Sequence, residues 1–464
     1  MSEIADSSKS SPLRLGNQSI GKLLVEYSVP AIIASVATSL YNIIDSIFIG
    51  RGVGAMAIAG LAITFPLMNL IVAFCTLVAV GGATISSIFL GQKNIQRTTD
   101  VLNNVFTLCI IHSIIFGGIT YIFLDEILLF FGATADTLPY AREFMQIILL
   151  GTPISYIFIG LNNIMRATGY PTRAMISALL SVVTNLALAP ILIFTLSLGI
   201  KGAAIATVAG QSVACIWVLW HFLSRKSFVH FTTANRKPLS KSIVKRIYAI
   251  GLSPFLMNVC ACIVVIFINN ALLNYGGESG DMAIGAYGIL NRTTMFFIMI
   301  VFGVTQGMQP ILGYNFGAGN FERVNKTLMI GIRIGVIITT IGWVITELAP
   351  NLISSLFTVD EYLIALSDHG ARIFFIFYPL VGCQVVIQNY FQSVGKPKIS
   401  IFLSLTRQLI FLIPFLIILP RQWGIDGVWA SMASSDLIAF IFAIVTLIIF
   451  NRRYRHRKSL SEHD

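Results

Sequence analysis

Long apolar segments alternate with short polar loops along almost the whole chain. A helix needs about 20 apolar residues to cross the hydrocarbon core of a bilayer. Twelve segments meet that length, at roughly residues 21–49, 57–89, 98–124, 138–163, 172–196, 201–223, 243–273, 282–310, 327–347, 362–390, 398–420 and 424–450. None has the ten-residue alternation that is typical of an outer-membrane barrel strand. The pattern therefore predicts an all-α integral membrane protein with twelve transmembrane helices.

The composition agrees with this prediction. Hydrophobic residues make up 56% of the chain and charged residues only 11%, whereas soluble domains contain about 25% charged residues. A soluble globular protein is therefore excluded as the class, and the lipid bilayer is the expected surroundings of most of the chain.

Basic residues are concentrated in one set of loops. That set and the tails carry Lys9, Arg14, Lys22, Lys93, Arg97, Arg166, Arg173, Arg225, Lys226, Arg236, Lys237, Lys241, Lys245, Arg246, Arg323, Lys326, Lys396, Lys398, Arg452, Arg453, Arg455, Arg457 and Lys458. The opposite loops carry only Arg51, Lys201 and Arg421. Because cytoplasmic loops are enriched in Lys and Arg, both termini are predicted to be cytoplasmic, which requires an even number of spans. This bias also accounts for the net charge of +11 without a nucleic-acid partner.

The chain repeats itself at a nearly constant offset of 226 residues. Met56–Ile63 (MAIAGLAI) matches Met282–Ile289 (MAIGAYGI). At the same shift the following residues coincide: Gly91, Asn94, Arg97, Asn163, Gly169 and Pro171 with Gly317, Asn320, Arg323, Asn389, Gly395 and Pro397. Gly199 and Gly202 match Gly424 and Gly427 with one residue of slippage. We infer an internal duplication of six helices.

The duplication predicts how the chain is divided. Two six-helix lobes at 21–223 and 247–450 are related by a pseudo-twofold axis along the membrane normal, since six is even and both halves face the same way. A cytoplasmic tail (1–20), a cytoplasmic linker (224–246) and a basic cytoplasmic tail (451–464) complete the chain. Parallel repeats of this kind are typical of transporters, with the transport path between the halves.

The first apolar segment contains a carboxylate, Asp45. It continues a polar stripe of Ser35, Thr38 and Asn42 on one side of the predicted helix. An ionised Asp at a helix centre costs roughly 2.5–3.5 kcal/mol to insert, so we interpret Asp45 as functional. The alternative is that Asp45 lies near the headgroups and faces water.

Polar residues in the other segments allow two interpretations. Ser177, Ser181 and Asn185 form a stripe in the fifth segment, and amides recur in the second half at Asn258, Gln306, Gln384 and Gln388. Such groups either join helices to one another, for about 0.6 kcal/mol each, or line a site. We predict a substrate path lined by Tyr41, Asn42, Met257, Asn258, Gln306, Gln384 and Gln388. Arg407 and Asp436 are intramembrane charges that we expect to pair.

Catalytic and energy-converting motifs are missing from the sequence. There is no phosphate-binding Gly-x4-Gly-Lys-Ser/Thr loop, and no His-Glu-x-x-His or Gly-x-Ser-x-Gly motif. We therefore expect no enzyme, no ATPase, no cofactor and no metal centre, and energy supplied by an ion gradient.

Four segments resemble the multidrug and toxic compound extrusion (MATE) family, in particular its bacterial DinF-like branch. They are Leu40–Gly50 (LYNIIDSIFIG), Met165–Pro171 (MRATGYP), Gly202–Thr207 (GAAIAT) and Leu405–Pro414 (LTRQLIFLIP). The similarity extends from about residue 20 to 450. It implies two six-helix lobes, a bacterial inner-membrane location, and export of cationic organic compounds in exchange for protons or sodium.

The resemblance also implies roles for four residues in binding the coupling cation. Asp45 matches the coupling acid of the first helix, Asn162 and Asn185 match asparagines of the fourth and fifth helices, and Thr207 matches a threonine of the sixth. Ala189 departs from the branch, which has an aspartate there. A sodium ion would find one carboxylate instead of two, which favours a proton.

These inferences lead to one hypothesis and one alternative. We expect a monomeric antiporter that exports drugs and other organic cations by alternating access of its two lobes. The alternative is a lipid-linked precursor flippase of the same superfamily. It would need a cationic cavity, for which Arg292, Arg333, Arg372 and Arg407 are candidates.

Overall fold

A computed structural model describes residues 14–224, 227–231 and 239–461. Parts of the predicted tails and linker, at 1–13, 225–226, 232–238 and 462–464, lie outside the described residues. The described residues form helices joined by loops and contain no β-strand.

The long helices are numbered α1 to α12 in chain order. They are α1 Ile20–Gly52, α2 Ala55–Gly91, α3 Ile95–Ile122, α4 Leu138–Ala167, α5 Pro171–Pro190, α6 Gly199–Leu223, α7 Lys241–Tyr275, α8 Gly280–Gly317, α9 Phe321–Leu348, α10 Glu361–Phe374 with Tyr378–Ser393, α11 Pro397–Leu405 with Ile413–Ile418, and α12 Pro420–Ser461. Short helices are present at Arg14–Asn17, Leu124–Phe130 and Pro350–Ser355.

The prediction of the fold class is confirmed. Among the described residues, 11 helices are long and apolar enough to cross a membrane. The count reaches 12 when the two parts of α10, which are bent by 57°, are taken as one span. Each span corresponds to one of the twelve apolar segments of the sequence, so the chain is a multi-pass membrane protein.

Two spans contain a π-helical turn. One follows Pro190 at the end of α5, over Ile191–Thr195, and the other lies inside α11, over Thr406–Leu412. A π-turn widens the helix and is frequently found at a functional site. In α11 it carries the intramembrane residue Arg407.

The described chain divides into two compact units. The first comprises Met1–Val259, Gln306–Val324 and Ser393–Gly395, and the second comprises Cys260–Thr305, Asn325–Gln392 and Lys396–Asp464. In the first unit α1 packs on α5, α2 on α3 and α4, and α6 on α4 and α5. In the second unit α12 packs on α11 and on the first part of α10. The lobes predicted at 21–223 and 247–450 follow the sequence repeat, which is a different criterion, and they stay a prediction.

Residues paired by the sequence repeat occupy equivalent local structures. Asn94 and Asn320 each accept a hydrogen bond from the backbone N–H three residues later, so both cap the following helix. Gly199 and Gly424 have φ angles of 58° and 57°, a left-handed conformation that suits glycine. The duplication read from the sequence is thus visible in the backbone.

The last glycines of α2 and α8 make a reciprocal contact within the first unit. A Cβ on Gly91 would lie 2.0 Å from the carbonyl oxygen of Tyr314, and a Cβ on Gly317 would lie 2.1 Å from that of Ile88. Ile88 and Tyr314 are themselves 226 residues apart, so the same contact is made twice. Only glycine permits the two backbones to approach this closely.

Candidate functional site

Asp45 lies in the last third of α1 and is buried, with 8% of its surface exposed. Its Oδ1 atom has no hydrogen-bond partner among the described residues. The buried position agrees with the interior interpretation of Asp45 and not with a water-facing one. A buried carboxylate oxygen that lacks a donor is costly, so this atom is a natural acceptor for a proton or a bound cation.

Three further side chains follow one another from this acid and are called, with it, the Asp45 cluster: Tyr41, Thr207 and Asn185. Tyr41 lies one helical turn before Asp45, within range of its charge, and its hydroxyl lies near the side chain of Thr207. Asn185 donates from Nδ2 to the Thr207 hydroxyl at 3.1 Å. Since α1 packs on α5 and α5 on α6, the three helices bring these groups together.

Thr207 is the centre of the hydrogen bonding in the Asp45 cluster. Its hydroxyl donates to the carbonyl of Ala203 at 3.1 Å, one turn back in α6. That bond uses its only proton, so the hydroxyl oxygen is left to accept from Asn185. The Oδ1 atom of Asn185, like that of Asp45, is buried and has no partner in the described part of the chain. The cluster therefore has two unsatisfied oxygens and only one carboxylate.

Ala189 is fully buried one turn after Asn185 on α5. Its methyl group supplies no oxygen, so this position of the helix adds no ligand to the cluster. The structure thus preserves the difference from the DinF-like pattern that the sequence indicates.

Asn162 lies apart from the Asp45 cluster. Its Nδ2 donates to the carbonyl of Ala174 at 2.9 Å and to the hydroxyl of Ser177. Asn185 is eight residues beyond Ser177 on α5 (177 to 185), about 12 Å at 1.5 Å per residue. In this conformation Asn162 joins α4 to the start of α5, and its part in cation coupling stays a prediction.

A buried arginine, Arg166, lies one turn beyond Asn162 at the end of α4. It is 9% exposed. Its Nη2 atom donates to Oδ1 of Asn163 at 2.6 Å, and its Nη1 atom donates to Oε1 of Gln306 on α8. Gln306, predicted to line the substrate path, is therefore engaged in this network.

The two predicted glutamines of α10 are buried and bonded to each other. Gln384 donates to Oε1 of Gln388 at 3.5 Å, and Gln388 donates to the hydroxyl of Ser404 on α11 at 2.7 Å. The Oε1 atom of Gln384 has no partner among the described residues. These amides connect two helices, and one of them still has a free acceptor.

The expected pair of intramembrane charges is confirmed within the second unit. Nε of Arg407, on the π-turn of α11, lies 2.6 Å from Oδ1 of Asp436 on α12. The Asp436 side chain is only 7% exposed. Arg407 is thus neutralised, and it does not contribute an unpaired positive charge to a cavity.

The remaining predicted lining residues differ in exposure. Asn42 is exposed, while Met257 and Asn258 are half-buried. Asn258 donates to the carbonyl of Pro254 in its own helix at 2.8 Å. The described residues contain no group of three or more His, Cys, Asp or Glu side chains placed to hold a metal ion.

From the sequence, Arg166 is predicted only as one of the basic loop residues that set the orientation, although the structure buries it. A signal was available in the spacing: Asn163 precedes Arg166 by three residues, which places the two side chains on one face of a helix. The partner Gln306 is 140 residues away, and no local pattern could have identified it.

The comparisons with known proteins agree in one family. The MatE family model matches residues 30–191 and 249–418. The multidrug export protein MepA of Staphylococcus haemolyticus is 28% identical over 445 residues, which cover 96% of this chain and 97% of that protein. MepA of Staphylococcus aureus is 26% identical and covers 93% and 94%.

Solved structures give the same result. The MATE multidrug transporter DinF-BH, in complex with rhodamine 6G, is 35% identical with a TM-score of 0.86, and the match covers 93% of this chain and 96% of that one. A MATE transporter in the bent conformation is 25% identical with a TM-score of 0.90, covering 97% and 99%. The resemblance seen in the sequence motifs is confirmed: this chain belongs to the MATE family of multidrug efflux transporters.

Proposed function

We propose that the protein is a secondary active antiporter that exports organic cations in exchange for protons, with Asp45 as the proton acceptor. The coarse activity follows from the family. Relatives named for multidrug export, and a DinF-BH structure named for its complex with rhodamine 6G, support cationic organic compounds as the substrate class.

One observation carries the proposal: the buried Oδ1 atom of Asp45 has no hydrogen-bond partner in the described part of the chain. An ionised carboxylate is expensive to hold away from water unless its oxygens are paired. A bound proton or a bound organic cation would each remove this cost, so the two compete for the same group. Such competition is what an exchange mechanism requires.

The chemistry of the cluster favours a proton over sodium. Hard metal cations prefer several oxygen ligands, including charged ones. The cluster supplies one carboxylate, one amide and two hydroxyls, and Ala189 supplies no further ligand. A proton needs only a single carboxylate oxygen.

The proposed cycle uses this competition to drive a conformational change. A ligand shifts an equilibrium between two conformations only by its difference in affinity for them. A proton on Asp45 favours one conformation and an organic cation the other, so each releases its competitor on the opposite side of the membrane. We propose that the protein works as a monomer in a bacterial inner membrane, with both termini in the cytoplasm and no cofactor besides the coupling ion.

The test uses purified protein in vesicles, with rhodamine 6G as the dye and with proton and sodium gradients imposed separately. We expect a proton gradient alone to drive dye transport and a sodium gradient alone to have no effect. Asp45→Asn should abolish gradient-driven transport. Glu126→Gln is the matched control, since Glu126 is an exposed acid without an ion pair among the described residues.

The outcomes separate the alternatives. Dye transport driven by sodium alone would overturn the proton assignment. Unimpaired proton-driven transport by Asp45→Asn would remove the role of Asp45. Translocation of a fluorescent lipid-linked precursor, without dye transport, would replace the antiporter by a flippase.

A further inference from the structure

Arg166 retains its full positive charge inside the protein. The guanidinium group is always protonated, and it is 9% exposed. Both of its described partners, Asn163 and Gln306, are amides. No carboxylate lies within ion-pair distance of it in the part of the chain that the structure describes. The amides accept hydrogen bonds from two of its nitrogen atoms without cancelling its charge.

The surroundings of Arg166 are closely packed. Ser87 of α2 donates to the carbonyl of Ala167 at 3.4 Å, and Gln309 of α8 donates to Thr84 of α2 at 2.8 Å. A Cβ on Gly307 of α8 would lie only 2.4 Å from Oγ of Ser28 on α1. These contacts join α2 to α4, α2 to α8 and α1 to α8 within the first unit, close in sequence to Arg166 and to its partner Gln306.

Arg166 also lies on a definite side of the Asp45 cluster. Asp45 is 17 residues beyond Ser28 on α1 (28 to 45), about 25 Å along the helix. Arg166 is one residue from the end of α4, in a region whose charge pattern predicts a cytoplasmic position. These helix contacts and the buried charge therefore lie on the predicted cytoplasmic side of the Asp45 cluster.

We propose that Arg166 is an electrostatic barrier that keeps protons and metal cations from leaking to the cytoplasm while this end is closed. A fixed positive charge in a narrow passage excludes cations, as an arginine does in water channels. A barrier needs an unneutralised charge, whereas a buried charge in a protein is usually paired with an opposite one. The choice of two amides as partners is therefore the observation that favours the barrier.

This inference rests on the proposed transport function but not on the role of Asp45. Proton leak is measured without substrate, in vesicles that hold the reconstituted protein, an internal pH indicator and an imposed pH gradient. Dye transport is measured separately, so a failure of the barrier and a failure of the antiport proposal are distinguishable.

Two substitutions of Gln306 separate charge from hydrogen bonding. Gln306→Glu keeps the size of the side chain and its bond to Arg166 but cancels the charge. Gln306→Met removes the bond and leaves the charge. We expect the pH gradient to collapse at least about tenfold faster with Gln306→Glu than with wild type, because a unit charge acts strongly at short range in a protein interior. With Gln306→Met we expect the gradient to collapse at the wild-type rate.

A structural role predicts the reverse, since a salt bridge would hold the closed end together and a methionine would loosen it. The proposal is overturned if Gln306→Met leaks protons while Gln306→Glu does not. It is also overturned if the two variants leak protons at the same rate. Gln211→Glu is the control, because it adds the same group beside Ser155, which lies 11 residues before Arg166 on α4 (155 to 166), about 16 Å along the helix; leak of the same size there also overturns the proposal.

Substitutions of Arg166 give an independent measurement. Arg166→Lys retains the charge and loses the planar arrangement of donors, while Arg166→Gln loses the charge. The barrier requires low leak in the lysine variant and high leak in the glutamine variant, compared at equal amounts of reconstituted protein. Equal leak in both would mean that donor geometry, and not charge, decides, which contradicts the proposal.

Discussion

Thr207 joins α6 to α5 through its hydroxyl group, which accepts a buried hydrogen bond from Asn185. In Thr207→Val, Asn185 would lose a buried acceptor, at a cost of about 1–3 kcal/mol. Since 1.4 kcal/mol is about tenfold in an equilibrium constant, we expect gradient-driven dye transport to fall by about tenfold. Thr207→Ser should remain close to wild type because it keeps the hydroxyl.

The control for this prediction is Ser212→Ala on the same helix. The Ser212 hydroxyl bonds only to the carbonyl of Val208 in the described structure, at 2.7 Å, so the variant loses a hydroxyl without touching the Asp45 cluster. A Thr207→Val protein that transports dye as well as Ser212→Ala would show that the hydroxyl has no part in coupling.

The ion pair of Arg407 and Asp436 leads to a second prediction, which concerns stability. Asp436→Leu leaves the positive charge of Arg407 largely buried and unpaired, which costs about 3–5 kcal/mol. The double variant Arg407→Met with Asp436→Leu replaces the pair by apolar groups and should recover most of this loss. Thermal unfolding of the detergent-purified proteins, followed by size-exclusion chromatography, measures both effects. A double variant as unstable as the single one would show that the pair itself is indispensable.

Sequence reasoning selected Asp45, which the structure buries, but it did not give the depth of the other predicted residues along their helices. The polar stripe of α1 and the apolar length of the segment were sufficient to select Asp45. Asn162 and Asn185 look alike in the sequence, since each interrupts an apolar run. Asn162 of α4 contacts α5 near its start, whereas Asn185 lies near the end of α5. This distance depends on the turn of α5 against which Asn162 packs. Helical periodicity gives the face of a helix but not its offset against a neighbour.

The contact between α2 and α8 makes a prediction about whole helices. Gly317→Ala would place a methyl group 2.1 Å from the carbonyl oxygen of Ile88, so the two helices must move apart. Such overpacking costs typically about 1–3 kcal/mol, and we expect a corresponding drop in thermal stability. Gly288→Ala in the same helix is the control, because nothing lies within 4 Å of its Cβ position.

Gly288→Ala should be neutral or slightly stabilising, by up to about 1 kcal/mol, since alanine favours a helix over glycine. The same thermal assay compares the two variants. If Gly317→Ala unfolds at the same temperature as Gly288→Ala, the close approach of the two backbones is not needed for stability.

The helices could be predicted because each apolar run is long and continuous. The bend in α10 and the π-turn in α11 were not predicted. The tenth segment was predicted as one helix at 362–390, and the structure bends it between Phe374 and Tyr378. The signal was Pro379, whose ring excludes the carbonyl four residues before it and whose nitrogen has no proton to donate. The π-turn of Thr406–Leu412 contains no proline or glycine, so no residue of that turn marks it in the sequence.

In the whole molecule, helix caps and close glycine contacts occur in both copies of the repeat, whereas the charged side chains differ between the copies. The caps at Asn94 and Asn320 and the glycine contacts at Gly91 and Gly317 recur with the repeat. Asp45 has no acidic counterpart at the same offset, where the sequence has Ala271. The duplication therefore preserves what the helices need in order to pack, while the candidate coupling chemistry belongs to one copy.

The orientation of the chain in the membrane is a further prediction, and it follows from the basic loops. Both termini should be cytoplasmic, because Lys and Arg are enriched on the cytoplasmic side. Alkaline phosphatase is active only outside the cytoplasm. We expect it to be inactive when fused after Asn94 or Asn320, and active when fused after Gly277 or Phe357. A green fluorescent protein at the C-terminus should fluoresce, since it folds in the cytoplasm. Phosphatase activity after Asn94 and Asn320 would show that the chain has the opposite orientation. Arg166 would then lie on the outer side of the Asp45 cluster, where it could not block the leak of cations to the cytoplasm.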